Sequence, residues 1–100
     1  MTYANIGTLG AVPGNRDELV ALLTRRSTEL NDMGCLLYEV GTRDDEPDTV
    51  YVVELWDSEE AHRASLELET VRATISEARL LLSGEMSGTG FTVAGSPLRD

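Results

Sequence analysis

The chain has 100 residues, 41% hydrophobic and 26% charged, enough for one compact domain over residues 1–100 and too apolar for disorder. Its 18 acidic residues outnumber 8 basic ones, all arginine, and the formal charge of −10 argues against nucleic acid or an anionic membrane surface as partner. One cysteine and one histidine leave no internal disulfide and no conventional zinc site, so no metal is expected.

Ala4 to Val12 alternates loosely and stops at Pro13-Gly14, which reads as a strand and a turn. Asn15 followed by Glu18 has the spacing of an N-cap and its reciprocal acceptor, predicting a helix from near Arg16. Leu19, Leu22, Leu23, Arg26 and Leu30 recur at three- and four-residue intervals and lay one stripe along that helix, which Gly34 ends. Cys35 to Arg43 reads as a second strand, Asp44 to Asp48 as an acidic turn, and Thr49 to Trp56 as the clearest strand in the chain. Asp57 can cap the next helix, with Glu60 three residues on. Its first piece carries Ala61, Ala64 and Leu68 on one face and His62, Ser65 and Leu66 on a neighbouring one. Its second piece carries Val71, Ile75, Ala78 and Leu82. Glu85 to Val93 forms a last strand despite its glycines, and 94–100 reads as a flexible tail.

The resulting order, β-α-β-β-α-β with a split second helix, predicts a ferredoxin-like α+β sandwich: a four-stranded sheet with helices on one face. Tyr51, Val53 and Leu55 alternate with Val50, Val52, Glu54 and Trp56, so neither face of that strand is polar throughout. A sheet this small does not leave an apolar face in water, and a homodimer burying it is expected. Met1 to Asn5 lacks the basic segment and apolar stretch of a signal peptide, and no apolar run approaches the roughly 20 residues of a membrane span. With a lone cysteine suited to a reducing compartment, the expected location is the cytoplasm. The lysine-free basic set fits a GC-rich bacterial source.

Gly34-Cys35-Leu36-Leu37-Tyr38-Glu39-Val40, and then Val52-Val53-Glu54-Leu55-Trp56-Asp57-Ser58-Glu59-Glu60-Ala61-His62, resemble the antibiotic biosynthesis monooxygenase family. Its pattern has a Pro-Gly turn after the first strand, Gly-Cys-x-x-Tyr opening the second, Glu-x-Trp closing the third, and a helix beginning Asp-Ser-x-Glu-Ala. Ala61-His62 with Ser65-Leu66, and Leu80 to Gly84 downstream, are similar to a subgroup of small bacterial members described as quinol monooxygenases. A proline frequent in that subgroup is replaced here by Leu80 or Leu81, a departure at a bend. The resemblance implies a dimeric α+β barrel with a pocket between sheet and helices in each subunit. It also implies a cofactor-independent monooxygenase that oxidises a quinol, an anthrone or a related polycyclic phenol with dioxygen. Heme-degrading members place a ligating histidine where this chain has Ile75 and an asparagine near Gly7, two residues from Asn5, which argues against heme. No glycine-rich loop leads from a strand into a helix, so no nucleotide cofactor is expected.

Histidine is the residue type that titrates near neutrality when unperturbed, so His62 is the candidate general base for a phenolic proton; the alternative is a solvated helix residue beside Glu59 or Glu60. Trp56 is either a core filler or a platform for substrate stacking. Asn5, inside a strand against its propensity, and Tyr38 are candidates to orient substrate oxygens, with Ser65 on the His62 face. Tyr38 can equally be a core or interface aromatic, and Tyr3 and Tyr51 read as interface residues. Glu54 shares a face with Trp56, and Arg26, Arg63 or Arg79 is expected to pair with it; the alternative is a general-base role. Cys35 reads as a small buried hydrophobe. Two other functions use the same barrel: a non-catalytic aromatic-metabolite binding protein, or a polyketide cyclase or isomerase.

Overall fold

A computed structural model describes residues 1–99. β1 (Tyr3–Ala11) leads into α1 (Arg16–Leu23) and α2 (Thr28–Asp32), then β2 (Cys35–Arg43) and β3 (Glu46–Trp56) form a hairpin. α3 (Glu59–Ser65), α4 (Glu69–Arg79) and β4 (Leu82–Thr92) follow. The sheet order is β2-β3-β1-β4 and every neighbouring pair is antiparallel. This is the ferredoxin-like α+β topology that the element order predicts. No helix is long and apolar enough to cross a membrane.

Antiparallel pairing and the two-residue pleat sort the strand side chains onto two faces. Leu9 pairs with Val50, and Val52 with Val40, on the face the helices cover. There Ala11, Leu19, Val50 and Ala78 form the buried core, backed by Leu22, Leu23, Leu81 and Leu82. The opposite face carries Ile6 against Val53 and Ala4 against Phe91. Ile6, Val53 and Phe91 are 45%, 37% and 47% exposed, so that face is apolar and uncovered in the single chain.

Several local features depart from the sequence reading, each for a local reason. The stripe from Leu19 to Leu30 does not form one helix. Thr24 turns its hydroxyl onto the carbonyl of Val20 at 2.8 Å, and Ser27 accepts from the Leu30 N–H to start a new helix. Side chain–backbone bonds of this kind compete with helix continuation. Asn15 sits at the N-cap position without capping; its Nδ2 donates to Glu18 Oε1 at 3.1 Å instead. Ser58, not Asp57, caps α3. The acidic turn shrinks to Asp44-Asp45, and Glu46 to Asp48 join β3. Pro47 is tolerated because pairing between β1 and β3 begins only at Thr49, so its missing N–H costs no bond to β1. Leu82 leaves the helix and opens β4, where it pairs with Ala11 across a bulge. Past β4, residues 94–99 contain one turn and no helix or strand; Asp100, the end of the expected tail, lies outside the described residues.

Leu19 is fully buried between sheet and helices. Leu19→Ala should therefore destabilise the fold by about 2–5 kcal/mol, read from the shift in urea midpoint at unchanged slope.

Candidate active site

The covered face changes character along β3. Val50 and Val52 pack into the core, and the same face then presents Glu54 and Trp56. Strand register puts Asn5 and Tyr38 on either side of Glu54, and Tyr3 and Cys35 on either side of Trp56. α3 begins three residues after Trp56. Its cap, Ser58 Oγ accepting from Ala61 N–H at 3.1 Å, fixes the first turn that carries His62. Gly34 holds the neighbouring corner: its φ of +100° suits glycine, and its carbonyl accepts from Asp57 N–H at 2.8 Å.

Glu54 lies at the centre. Its Oε2 accepts from Asn5 Nδ2 at 3.1 Å, and its Oε1 accepts from Trp56 Nε1 at 3.1 Å. Oε1 also stands 3.9 Å from His62 Nε2, longer than a hydrogen bond and an ion pair only when the imidazole is protonated. The imidazole is flanked by two rings. Trp56 meets it edge-on with centroids 5.5 Å apart, and Tyr3 lies tilted at 5.6 Å. The side chains of Glu54 and His62 are 13% and 18% exposed, so the pair is largely withdrawn from water yet reachable.

The expected arginine partner of Glu54 is replaced by these neutral donors. Arg63 pairs with Glu59 at 2.8 Å, and among the described residues no arginine forms an ion pair with Glu54. Two amide and indole N–H bonds do the work of a counter-ion here, which the spacing of charges along the chain cannot reveal. Asn5 joins the cluster through that bond. Trp56 is only 1% exposed, so its rings are covered by protein and its contact with the site is through its N–H and its edge. Ser65 is buried, and its hydroxyl donates to the His62 carbonyl at 2.6 Å, holding the helix rather than facing open space.

Tyr3 is the residue that sequence reading assigned elsewhere. It faces the helices beside His62, whereas Tyr51 does lie on the open face. Room for it comes from Gly90, which pairs with Asn5 in the β1–β4 register; any Cβ at Gly90 would collide with the Tyr3 hydroxyl. Strand phase was the available signal, since Tyr3, Asn5 and Leu9 alternate onto one face.

Burial pushes the Tyr38 phenol up to about 12, and the charge of Glu54 and then Cys35 add to it. Tyr38 is therefore a neutral hydroxyl, able to donate, at any physiological pH. Burial also raises the Cys35 thiol, against a lowering backbone hydrogen bond with Leu37, with Glu54 raising it further. Cys35 is thus a buried thiol rather than a nucleophile.

Among the described residues, depressions border the sheet on both faces. A groove of about 440 Å³ runs between β2 and the α1–α2 break, walled by Leu23, Ser27, Leu30, Leu37 and Tyr38. The larger one, about 540 Å³, lies on the open face over Ile6, Tyr51 and Val53, away from His62. Size does not decide between them: the groove reaches Tyr38 and Cys35, the two β2 side chains beside the Glu54 cluster. Among the described residues no group of three or more histidine, cysteine or carboxylate side chains is arranged to hold a metal.

A phenol with a raised pKa in the fold and an ordinary one near 10 when unfolded stabilises the native state below pH 10, and that contribution is lost as pH rises through about 12. Urea midpoints should accordingly fall between those values, and Tyr38→Phe should flatten the fall. Tyrosine ultraviolet difference absorbance should lose its component near 12 in the same variant.

The antibiotic biosynthesis monooxygenase family model matches residues 2–77. No match was found among curated proteins. Among solved structures, a Chloroflexus aurantiacus protein provisionally assigned as an antibiotic biosynthesis monooxygenase is 36% identical, with 99% of this chain and 100% of that chain covered and a TM-score of 0.80. The fold recurs at lower identity. Rv0793 from Mycobacterium tuberculosis is 19% identical, with 97% of this chain and 99% of that chain covered and a TM-score of 0.81. A variant of SnoaB, a cofactor-independent oxygenase from Streptomyces nogalater, is 13% identical over 98% of each chain with a TM-score of 0.80. By the extent of the family match and by its likeness to the Chloroflexus protein, the chain belongs to the antibiotic biosynthesis monooxygenase family.

Proposed function

We propose that the protein is a cofactor-independent monooxygenase that oxidises a quinol, an anthrone or a related polycyclic phenol with dioxygen. The observation that carries this reading is the setting of His62. The only imidazole in the chain is held by two aromatic rings beside a carboxylate, and a groove of mixed polarity reaches Tyr38 and Cys35 on the neighbouring strand. Family membership supports the same class, and SnoaB, a cofactor-independent oxygenase, has the same fold.

The chemistry asks little of the protein beyond binding, proton removal and dryness. His62 takes the acidic proton of the substrate, and the anion passes one electron to dioxygen. The two radicals combine as a carbon-bound peroxide anion, which takes the proton back from His62. Loss of water from that peroxide at an anthrone methylene leaves a carbonyl, so one oxygen atom enters the product and the other leaves in water. Tyr38, held as a neutral donor, and Asn5 orient the substrate oxygens. Trp56 supports His62 from within the core; direct stacking on it would need the surrounding chain to open. Ser65 sets the His62 turn. Proton transfer by a single base also suits keto–enol isomerisation, the second reading, which needs no dioxygen.

The functional unit in this reading is a cytoplasmic homodimer closed over the open sheet face. Ile6, Val53 and Phe91 supply the apolar surface, and a second copy of the same sheet is its complement.

Chelated, dialysed protein should consume dioxygen with naphthoquinols or anthrones above autoxidation in an electrode cell. His62→Ala should lower that rate about 10²–10⁴-fold. Substrate conversion under argon at an undiminished rate would favour the isomerase, and Trp56 quenching by ligand with neither reaction would favour a binding protein. Trp56→Phe is more informative than Trp56→Ala, which opens a core cavity costing about 3–5 kcal/mol. Val53→Arg should shift the sedimentation equilibrium from dimer to monomer at unchanged far-ultraviolet circular dichroism.

A further inference from the structure

We propose that Glu54 is a positioning residue. Clamped by Asn5 and Trp56, its carboxylate orients the His62 ring with Nε2 toward it and so reserves Nδ1 for the substrate. The catalytic half of this statement rests on the reading of His62 as the base; the orientation itself does not.

Three features lead there. Each oxygen of Glu54 already accepts a hydrogen bond at 3.1 Å, one from Asn5 and one from Trp56, so the carboxylate cannot swing without breaking one of them. Each oxygen keeps a second lone pair, but the two bonds hold the carboxylate in one orientation and make it a fixed reference for the imidazole. Among the described residues the one ionisable nitrogen within 4 Å of the carboxylate is His62 Nε2, 3.9 Å away.

The rings of Tyr3 and Trp56 limit where the imidazole sits, but neither distinguishes a ring nitrogen from a ring carbon. A ring flip that exchanges Nδ1 with a carbon leaves their packing nearly unchanged. The carboxylate does distinguish them, because it is attracted to an N–H and gains little from a C–H. At 3.9 Å no hydrogen bond joins the two, so it is the field of the carboxylate that favours the tautomer with its proton on Nε2. When His62 accepts a proton, the new imidazolium forms beside a charge of opposite sign, with no side chain having to move far.

Because the chain has one histidine, its imidazole gives a single pair of ¹⁵N resonances. In the neutral form the wild type should carry its proton on Nε2, and Glu54→Gln and Glu54→Leu should shift the population toward a mixture, the leucine variant further. Identical populations in the wild type and both variants would overturn the proposal. Urea melts and Trp56 emission establish that each variant is folded; if leucine at 54 unfolds the chain, the glutamine variant carries the comparison. In the oxygen assay, Glu54→Gln should lower kcat roughly 10- to 100-fold with KM little changed, and should cost nothing further in a His62→Ala background. A loss that persists in that background would mean Glu54 acts on substrate directly and would overturn the positioning role. The resonance measurement needs no substrate, so a chain that turns over no quinol would refute the monooxygenase reading while leaving the Glu54–His62 result standing.

Discussion

A carboxylate on the helix-covered face of a central strand constrains everything around it. Removing Glu54 from water is costly unless its lone pairs are satisfied, and a nearby arginine is the usual remedy. Here the remedy is two neutral N–H donors, one from the adjacent strand and one from two residues along the same strand. That choice explains an asparagine in the interior of β1, where strand propensity disfavours it. It also explains why the Trp56 indole, though buried, has a partner for its N–H. The same charge helps hold Tyr38 protonated and lies beside the one imidazole in the chain.

The site lies where the sheet stops behaving as a core wall. Along β3 the covered face runs from Val50 and Val52, packed under α1 and α4, to Glu54 and Trp56 beneath α3. The chain reverses tightly at that end. Gly34 and Asp57 are tied by a backbone bond, and Ser58 restarts the helix at once. Rigid strands therefore supply Asn5, Tyr38 and Glu54, while a capped helix turn supplies His62. This is the division of labour that holds a reactive group at a defined distance without a flexible loop. The break between α1 and α2 is the complementary feature. The groove beside Tyr38 is lined on one side by residues of that break, Leu23, Ser27 and Leu30.

Strands and their order were legible because a period of two survives in the sequence wherever a strand has one buried side. Thr49 to Trp56 shows it on both faces, and the strand is apolar on both sides in the structure. Composition marks Glu46 to Asp48 as turn-like, whereas cross-strand pairing of Glu46 with Arg43 draws them into the ladder and shortens the hairpin turn. Helix starts were misplaced by a residue or left uncapped because several polar side chains near each start compete for the same N–H groups. Ser58 prevailed over Asp57, and Asn15 donated to Glu18 instead of accepting from the backbone.

The chain by itself determined the element order, the two-faced pattern of β3, the family resemblance and the residue types available for chemistry: one imidazole, one indole and a carboxylate in phase with it. Those follow from local periodicity and from motifs contiguous in sequence, which need no knowledge of distant neighbours. Which groups meet was decided only by the tertiary structure. Asn5 reaches Glu54 across 49 positions of chain, and Tyr3 finds space against His62 because Gly90 lies opposite in another strand. Such contacts depend on strand register and on the absence of a single Cβ. These properties exist only once separate segments have been brought together.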